Sequence, residues 1–260
     1  MRRFAIAAIA AAMTLAASAA ASAQSLLDEV VRRGTLNVGV SLGTPPYGLT
    51  NDKMEPDGYD VALAKLIARD LGVKVNIVDT VASNRIPSLT AGKVDIVISS
   101  FSITAERAKT IAFTNTVFVD QQVFLASKDT KVSALAELKG KKVGVTRSST
   151  NDIAMTRANV EGVALQRYDD DASTTQALFA GQVDGIVTSG GLAVAVTGRS
   201  PNLESKFVVG QAPMGIGLKR NDPELLHWLN TDIFMLWTTG ELQALQKKWM
   251  GFENRELPRF

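Results

Sequence analysis

The chain has 260 residues, of which 46% are apolar and 21% charged, and its formal net charge is +2. That composition excludes a disordered chain and leaves ample apolar material for a packed core. The absence of cysteine excludes a disulfide scaffold and any thiolate metal site, and no basic stripe interleaved with aromatics points to nucleic acid.

The first element is a leader. "MRR" precedes the apolar run "FAIAAIAAAMTLAAS" and then "ASAQ", a basic region, a short apolar region and an A-x-A site. Residues 1–23 read as a secretory signal cleaved after Ala23, too short and alanine-rich for a good membrane anchor. Without Arg2 and Arg3 the basic and acidic residues balance, so the mature chain is near neutral. Its length of about 237 residues suits one large or two modest domains.

Strand and helix patterns then alternate. "TLNVGV" is a strand. "DGYDVALAKLIARDLG" is a helix with Val61, Ala64, Ile67, Ala68 and Leu71 on one face and Gly72 at its end. "KVNIVDT" is a strand, "NRIPSLTAG" a short helix and "VDIVIS" a strand. "KKVGVTR" opens a second set: a helix from about Thr150, the strand "ALQRYD", the helix "STTQALFAG" and the strand "VDGIVTS". This order predicts parallel α/β sheets. The last helices carry His227, Trp228, Trp237 and Trp249, read as packing residues.

"AGKVDIVISS" (Ala91–Ser100) echoes "AGQVDGIVTS" (Ala180–Ser189): a helix end, a glycine, and a strand finishing in hydroxyls. Two similar lobes would follow, with Ser99, Ser100 and Ser102 facing Thr188 and Ser189 across one cleft, because open α/β sheets bind ligands beyond the carboxyl ends of their strands. Hydroxyls and strand-end amides beside Arg107 make a carboxylate receptor, since a guanidinium meets carboxylate as a planar fork. Thr104 is the expected cap of the Arg107 helix. A surface pair of Arg107 with Glu106 or Asp95 is the alternative. "RSSTND" (Arg147–Asp152), with Ser149 and Thr150, offers hydroxyls and free helix amides as an anion site, or simply a helix cap.

Read together, "PPYG" (Pro45–Gly48), Gly58–Gly72, "NRIPSLTAGKVD" (Asn84–Asp95), "SITAERAKTIAFT" (Ser102–Thr114), "LKGKKVGV" (Leu138–Val145) and "ALFAGQVD" (Ala177–Asp184) carry a resemblance. From about Gly34 to Trp249 the chain resembles the periplasmic solute-binding proteins of polar amino-acid ABC transporters. That resemblance implies an α/β, two-lobed type II periplasmic binding fold. Each lobe would be a mostly parallel sheet flanked by helices, and two crossover segments would serve as a hinge. Lobe one would span 24–120 plus 214–260 and lobe two 121–213. It further implies that Arg107 grips the ligand α-carboxylate, assisted by Ser100 and Ser102, with Thr150 reaching it from lobe two. The implied partners are an amino acid or organic carboxylate and a permease and ATPase complex in the inner membrane. The protein would be a periplasmic monomer with no cofactor, metal or nucleic acid.

The departures matter too. Ala62 stands where the family's signature helix has a second acid. Thr44 and Ala82 occupy positions where many relatives place ligand-sandwiching aromatics. Ser189 stands where relatives present an aspartate to the α-ammonium, and losing a charge-assisted bond of that kind costs about 1.5–3 kcal/mol. Either the ligand lacks an α-ammonium, or an acid elsewhere meets it. Asp169, Asp170 and Asp171 are the first candidates, or else a solvated turn. Arg85 adds a second positive group that would favour anionic ligands. Tyr47 would line the cleft or pack beneath it. The rival class is a periplasmic dehydratase acting on prephenate or arogenate on the same fold, which needs a positioned acid or base. His227 is far from the predicted cleft strands in sequence, and Glu161 and the aspartates near Tyr168 are the remaining candidates. A soluble sensor using the same trap is a third reading.

Overall fold

The computed structural model describes residues 25–254 and 256–258, so the leader read over residues 1–23 lies outside the described residues. Helix α1 (Leu26–Arg33) is capped by the Ser25 hydroxyl, and Gly34 ends it at φ 68°. Strand β1 (Thr35–Val40) leads through a small hairpin, β2 (Leu49–Thr50) and β3 (Pro56–Asp57), into α2 (Tyr59–Asp70). Then come β4 (Lys74–Asp79), α3 (Arg85–Thr90), β5 (Ile96–Val97), the short α4 (Ala105–Ala108) and β6 (Ile111–Phe113). The chain crosses over in β7 (Phe118–Ser127). The second set is β8 (Lys142–Thr146), α5 (Thr150–Ala158), β9 (Ala164–Tyr168), α6 (Asp171–Phe179), β10 (Gly185–Ser189) and α7 (Gly190–Arg199). Strand β11 (Leu203–Met214) returns the chain to β12 (Gly217–Lys219), α8 (Pro223–Thr238) and α9 (Glu241–Met250).

The two five-stranded sheets have orders β4-β1-β5-β12-β6 and β11-β7-β10-β8-β9. In the first, β1 pairs parallel with β4 and β5, and β12 runs antiparallel between β5 and β6. In the second, β8 pairs parallel with β9 and β10, and β7 runs antiparallel between β10 and β11. Each sheet is therefore mostly parallel with one reversed strand. The reversed strands are the ones that follow the crossings between sheets, which the alternating pattern alone does not announce. The crossings lie side by side: Phe118 pairs with Met214 and Asp120 with Ala212.

Both faces of each sheet are covered, which explains the unbroken apolar runs. In β5, Ile96 joins the large core that also holds Val38, Val40 and Ile67, while Val97 points to the opposite cluster with Leu89 and Phe101. In β10, Ile186 and Val187 split in the same way. The echoed segments are thus the central strands of their sheets. Their aspartates also match. Asp95 accepts from Asn37 N at 2.7 Å, and Asp184 accepts from Lys142 N at 2.7 Å, each tying the central strand to its neighbour's start.

Trp228, Trp237 and Trp249 pack against the large core as read, but His227 is exposed on α8 rather than buried with them. The helix face of α2 is as read: Val61, Ala64, Ile67 and Ala68 are buried.

Candidate ligand-binding cleft

The carboxyl ends of β5 and β10 face each other, as the echo requires. From the first sheet, Ser41, Arg85, Ser99, Ser100 and Ser102 line the gap, and Gln121 and Gln122 of β7 form its back. From the second come Ser149, Thr150, Asn151, Asp171 and Ser189. The open space is about 40 Å³, and an adjoining chamber of about 120 Å³ reaches Thr44, Asp79 and Thr146. The two sheets close on each other here. Ser102 and Thr150 hydroxyls meet at 2.9 Å, and Thr44 donates to Asp171 at 2.8 Å. A larger groove of about 630 Å³ runs behind the crossover strands, against Val194, Phe207 and Val208. It is mainly apolar and lies off the strand ends, so the recognition chemistry belongs to the smaller cleft.

Two buried arginines serve the cleft: Arg85 lines it, and Arg107 sits behind the lining residue Ser102. Thr104 caps α4 by accepting from Arg107 N at 3.2 Å, which aims Arg107 inward. Its guanidinium donates to Ser102 O at 2.7 Å and, across the gap, to Ser148 O at 3.0 Å. The alternative surface pairing is absent: Glu106 pairs with Lys109 and Asp95 with Arg33. Arg85 donates to Ser99 O at 2.9 Å and Ala82 O at 3.2 Å. Both guanidiniums lie over the Phe101 ring, at 4.6 Å for Arg85 and 4.9 Å for Arg107. Among the described residues, neither forms an ion pair with a carboxylate; their protein acceptors are backbone carbonyls. Burial lowers Arg107 to about 9, with the neighbouring Arg85 charge adding to the effect, and burial lowers Arg85 to about 10. Both therefore stay charged at neutral pH. Two buried cations without a bound counter-ion make a site for an anion.

The serine loop is held from beneath. Ser100 sits at φ 37°, a left-handed conformation few non-glycine residues adopt. Its amide donates to Asp60 Oδ2 at 2.8 Å, and the other Asp60 oxygen is buried without a partner. Burial pushes the Asp60 carboxyl up to about 7, against the opposing pull of the Ser100 amide and Arg85. Ser99 bonds another lining hydroxyl, Ser41 Oγ, at 2.6 Å.

On the opposite wall, Ser149 caps α5 by accepting from Asp152 N at 3.1 Å, and Thr150 is the first helical residue. Ser189 ends β10 as expected, and its Oγ is buried with no partner. The three neighbouring aspartates separate completely. Asp169 is exposed beside Arg147 at 3.5 Å. Asp170 caps α6 in a reciprocal box with Ser173. Asp171 projects into the cleft, where Thr44 and Thr146 each donate to one of its oxygens and its charge acts on Arg85. The solvated-turn alternative thus holds for Asp169 alone.

Tyr47 is not brought to the cleft. It is fully buried beneath, its ring stacked on Phe118 at 5.6 Å and its hydroxyl bonded to Asp120. Thr44 and Ala82, where an aromatic sandwich was missing in the sequence, leave the polar adjoining chamber open. Glu161 is exposed beside Lys139, away from the cleft. Gln122, a wall residue that no sequence motif marked, bonds Asn151 of the Arg147–Asp152 segment at 2.8 Å.

Known proteins share this architecture. Residues 36–252 match the bacterial extracellular solute-binding proteins, family 3. The L-cystine-binding protein TcyJ of Escherichia coli is 32% identical over 234 residues, covering 88% of this chain and 87% of that one. A mutant of ArgBP from T. maritima superposes with a TM-score of 0.81 at 33% identity, covering 86% of this chain and 99% of that one. The ancestral amino acid-binding protein AncCDT-1, a precursor of cyclohexadienyl dehydratase, reaches a TM-score of 0.80 at 32% identity. It covers 87% of this chain and 100% of that one.

Proposed function

Given that the chain belongs to the bacterial extracellular solute-binding proteins of family 3, we propose that it captures a small amino acid between two lobes and delivers it to an ABC importer. It would work in the periplasm as a monomer, with 24–120 plus 214–260 as one lobe and 121–213 as the other. The observation that carries this reading is charge placement. Arg85 lines one wall and Arg107 lies buried behind it against Ser102, both without ion-pair partners, and Asp171 stands on the other wall. A carboxylate would meet the arginines, Ser100, Ser102 and Thr150, with the Ser149 helix start behind them. The α-ammonium would meet Asp171 in place of the aspartate that Ser189 replaces.

A ligand touching both walls favours the closed state because it makes more contacts there. TcyJ is an L-cystine-binding protein, and ArgBP has a structure in an arginine-bound form. The second reading, a dehydratase, draws on the likeness to AncCDT-1. Against it, Asp171 is the one carboxylate lining the main cleft, and both of its oxygens already take threonine hydroxyls.

A thermal-shift panel pairing each L-amino acid with its des-amino analogue tests the proposal, with turnover of prephenate and arogenate followed in parallel. Capture predicts an amino-acid hit whose analogue binds far more weakly, without turnover. A des-amino hit would remove Asp171 from the role given it, and turnover would favour the dehydratase.

A further inference from the structure

A buried tyrosine beneath the cleft joins the two halves of the molecule. Tyr47 is anchored to the first sheet's side by its backbone: Tyr47 O accepts from Asp60 N at 2.8 Å, at the start of α2. Its ring is wedged against Phe118, which also meets Tyr59 edge-on at 5.0 Å. Its hydroxyl does two things. It donates to Asp120 Oδ2 on the crossover strand β7, and it accepts from Gly191 N at 3.0 Å, in the first turn of α7 on the second sheet's side.

The helix start is built for this visitor. Ser189, in the capping position of α7, makes no side-chain cap bond. Asp120 instead faces the Gly190 and Gly191 amides while its Oδ1 accepts from Gln121 N at 2.8 Å. A Cβ on Gly191 would fall 2.3 Å from the Tyr47 hydroxyl oxygen, so the close approach requires glycine. Tyr47, from the first sheet's side, and Asp120, at the start of the second sheet's strand β7, are both buried and thus meet at the first turn of α7.

We propose that Tyr47 and Asp120 form a closure latch, a pair that sets ligand affinity by holding the two lobes together from behind the cleft. The latch rests on the reading of a hinged capture protein. Opening must carry α7 away from the anchored Tyr47 and strand the Gly191 amide and the Tyr47 hydroxyl until water replaces the bond. No ligand atom enters that exchange, so the latch adds to closure in the empty protein as well as the loaded one. A larger closed fraction before capture raises apparent affinity in proportion.

The test uses the ligand-free mature chain. With no native cysteine, spin labels at Lys65→Cys and Gln176→Cys, both exposed and one on each side, report a single distance. Tyr47→Phe keeps the ring against Phe118 and removes only the hydroxyl. The wild-type distribution should be dominated by a short distance, and Tyr47→Phe should raise the ratio of long to short about threefold to tenfold. Asp120→Asn, which keeps an acceptor oxygen but loses the charge at the helix start, should shift it the same way and serves if Tyr47→Phe fails to fold. A wild-type distribution that is already long, or one unchanged in both variants, overturns the latch. Failure of the capture reading itself has a separate signature: once Tyr47→Phe has lengthened the distribution, none of the twenty L-amino acids shortens it again, and none raises the thermal midpoint of the wild type.

Discussion

The hydroxyls of Ser102 and Thr150 meet at 2.9 Å across the cleft, linking the end of the first sheet's central strand to the first residue of α5. Arg107 reinforces the same seam by donating to Ser102 O on one side and Ser148 O on the other. In the proposed reading, carboxylate recognition and closure therefore share atoms. Ser102→Ala and Thr150→Val should each weaken capture of the best amino-acid hit by about threefold to tenfold. The double variant should lose less than the two singles together, because both remove one bond. Strict additivity by calorimetry would mean that the pair is not coupled in solution.

Arg107→Ala should leave folding nearly intact and weaken binding of the same hit at least tenfold, about 1.4 kcal/mol. Arg107 contacts no carboxylate of the protein, so its removal leaves no buried anion uncompensated. Arg107→Lys should restore little, since an ammonium cannot span two carbonyls and a carboxylate as a fork does. Unchanged affinity in a folded Arg107→Ala protein would sink the carboxylate assignment.

Asp171→Asn tests the ammonium site. It keeps the shape beside Thr44 and Thr146 but removes the charge. Affinity for an amino acid should fall by about 1.5–3 kcal/mol. Affinity for the des-amino analogue should stay level or rise, because the site then presents less negative charge. Equal losses for both compounds would show Asp171 to be a scaffold for the threonines only.

Stability should depend on pH through Asp60. Its folded pKa is raised by burial to about 7 from 3.8, so the native state holds the proton more tightly than the unfolded chain. A raised carboxyl favours the folded state while protonated, so stability declines as pH rises from about 4 to about 7 and then levels off. The decline attributable to Asp60 is at most about 4 kcal/mol. Asp120, raised by burial to about 6, and Asp232, raised by burial and the Asp70 charge to about 7, act with the same sign. Urea midpoints from pH 4 to 8 would show it. Asp60→Asn, which retains an acceptor for Ser100 N, should flatten part of the slope; an unchanged slope would remove Asp60 from the account.

Much of this molecule could be read along the chain. The matched segments Ala91–Ser100 and Ala180–Ser189 placed both central strands and the two walls, since a strand's apolar run and its following hydroxyls are local features. Thr104 marked the turn that carries Arg107 for the same reason, because a cap bond spans three residues. What could not be read involves distance and direction. Nothing in "DDD" distinguishes Asp171 from Asp169. The helix begins one residue before Asp171 could cap it, so Asp170 caps, Asp169 faces water and Asp171 swings toward Thr44, 127 positions away in sequence. Likewise the burial of Tyr47 depends on Asp120 and Gly191, which meet it only after both crossovers are made. Periodicity and caps act over a turn or a strand, and so the residue types alone settled most of the elements and pointed to the buried arginine beside the serines. The ammonium partner and the link behind the cleft required the packing of one lobe against the other, because charge and hydrogen bonding act on whatever the fold brings within about 3 Å.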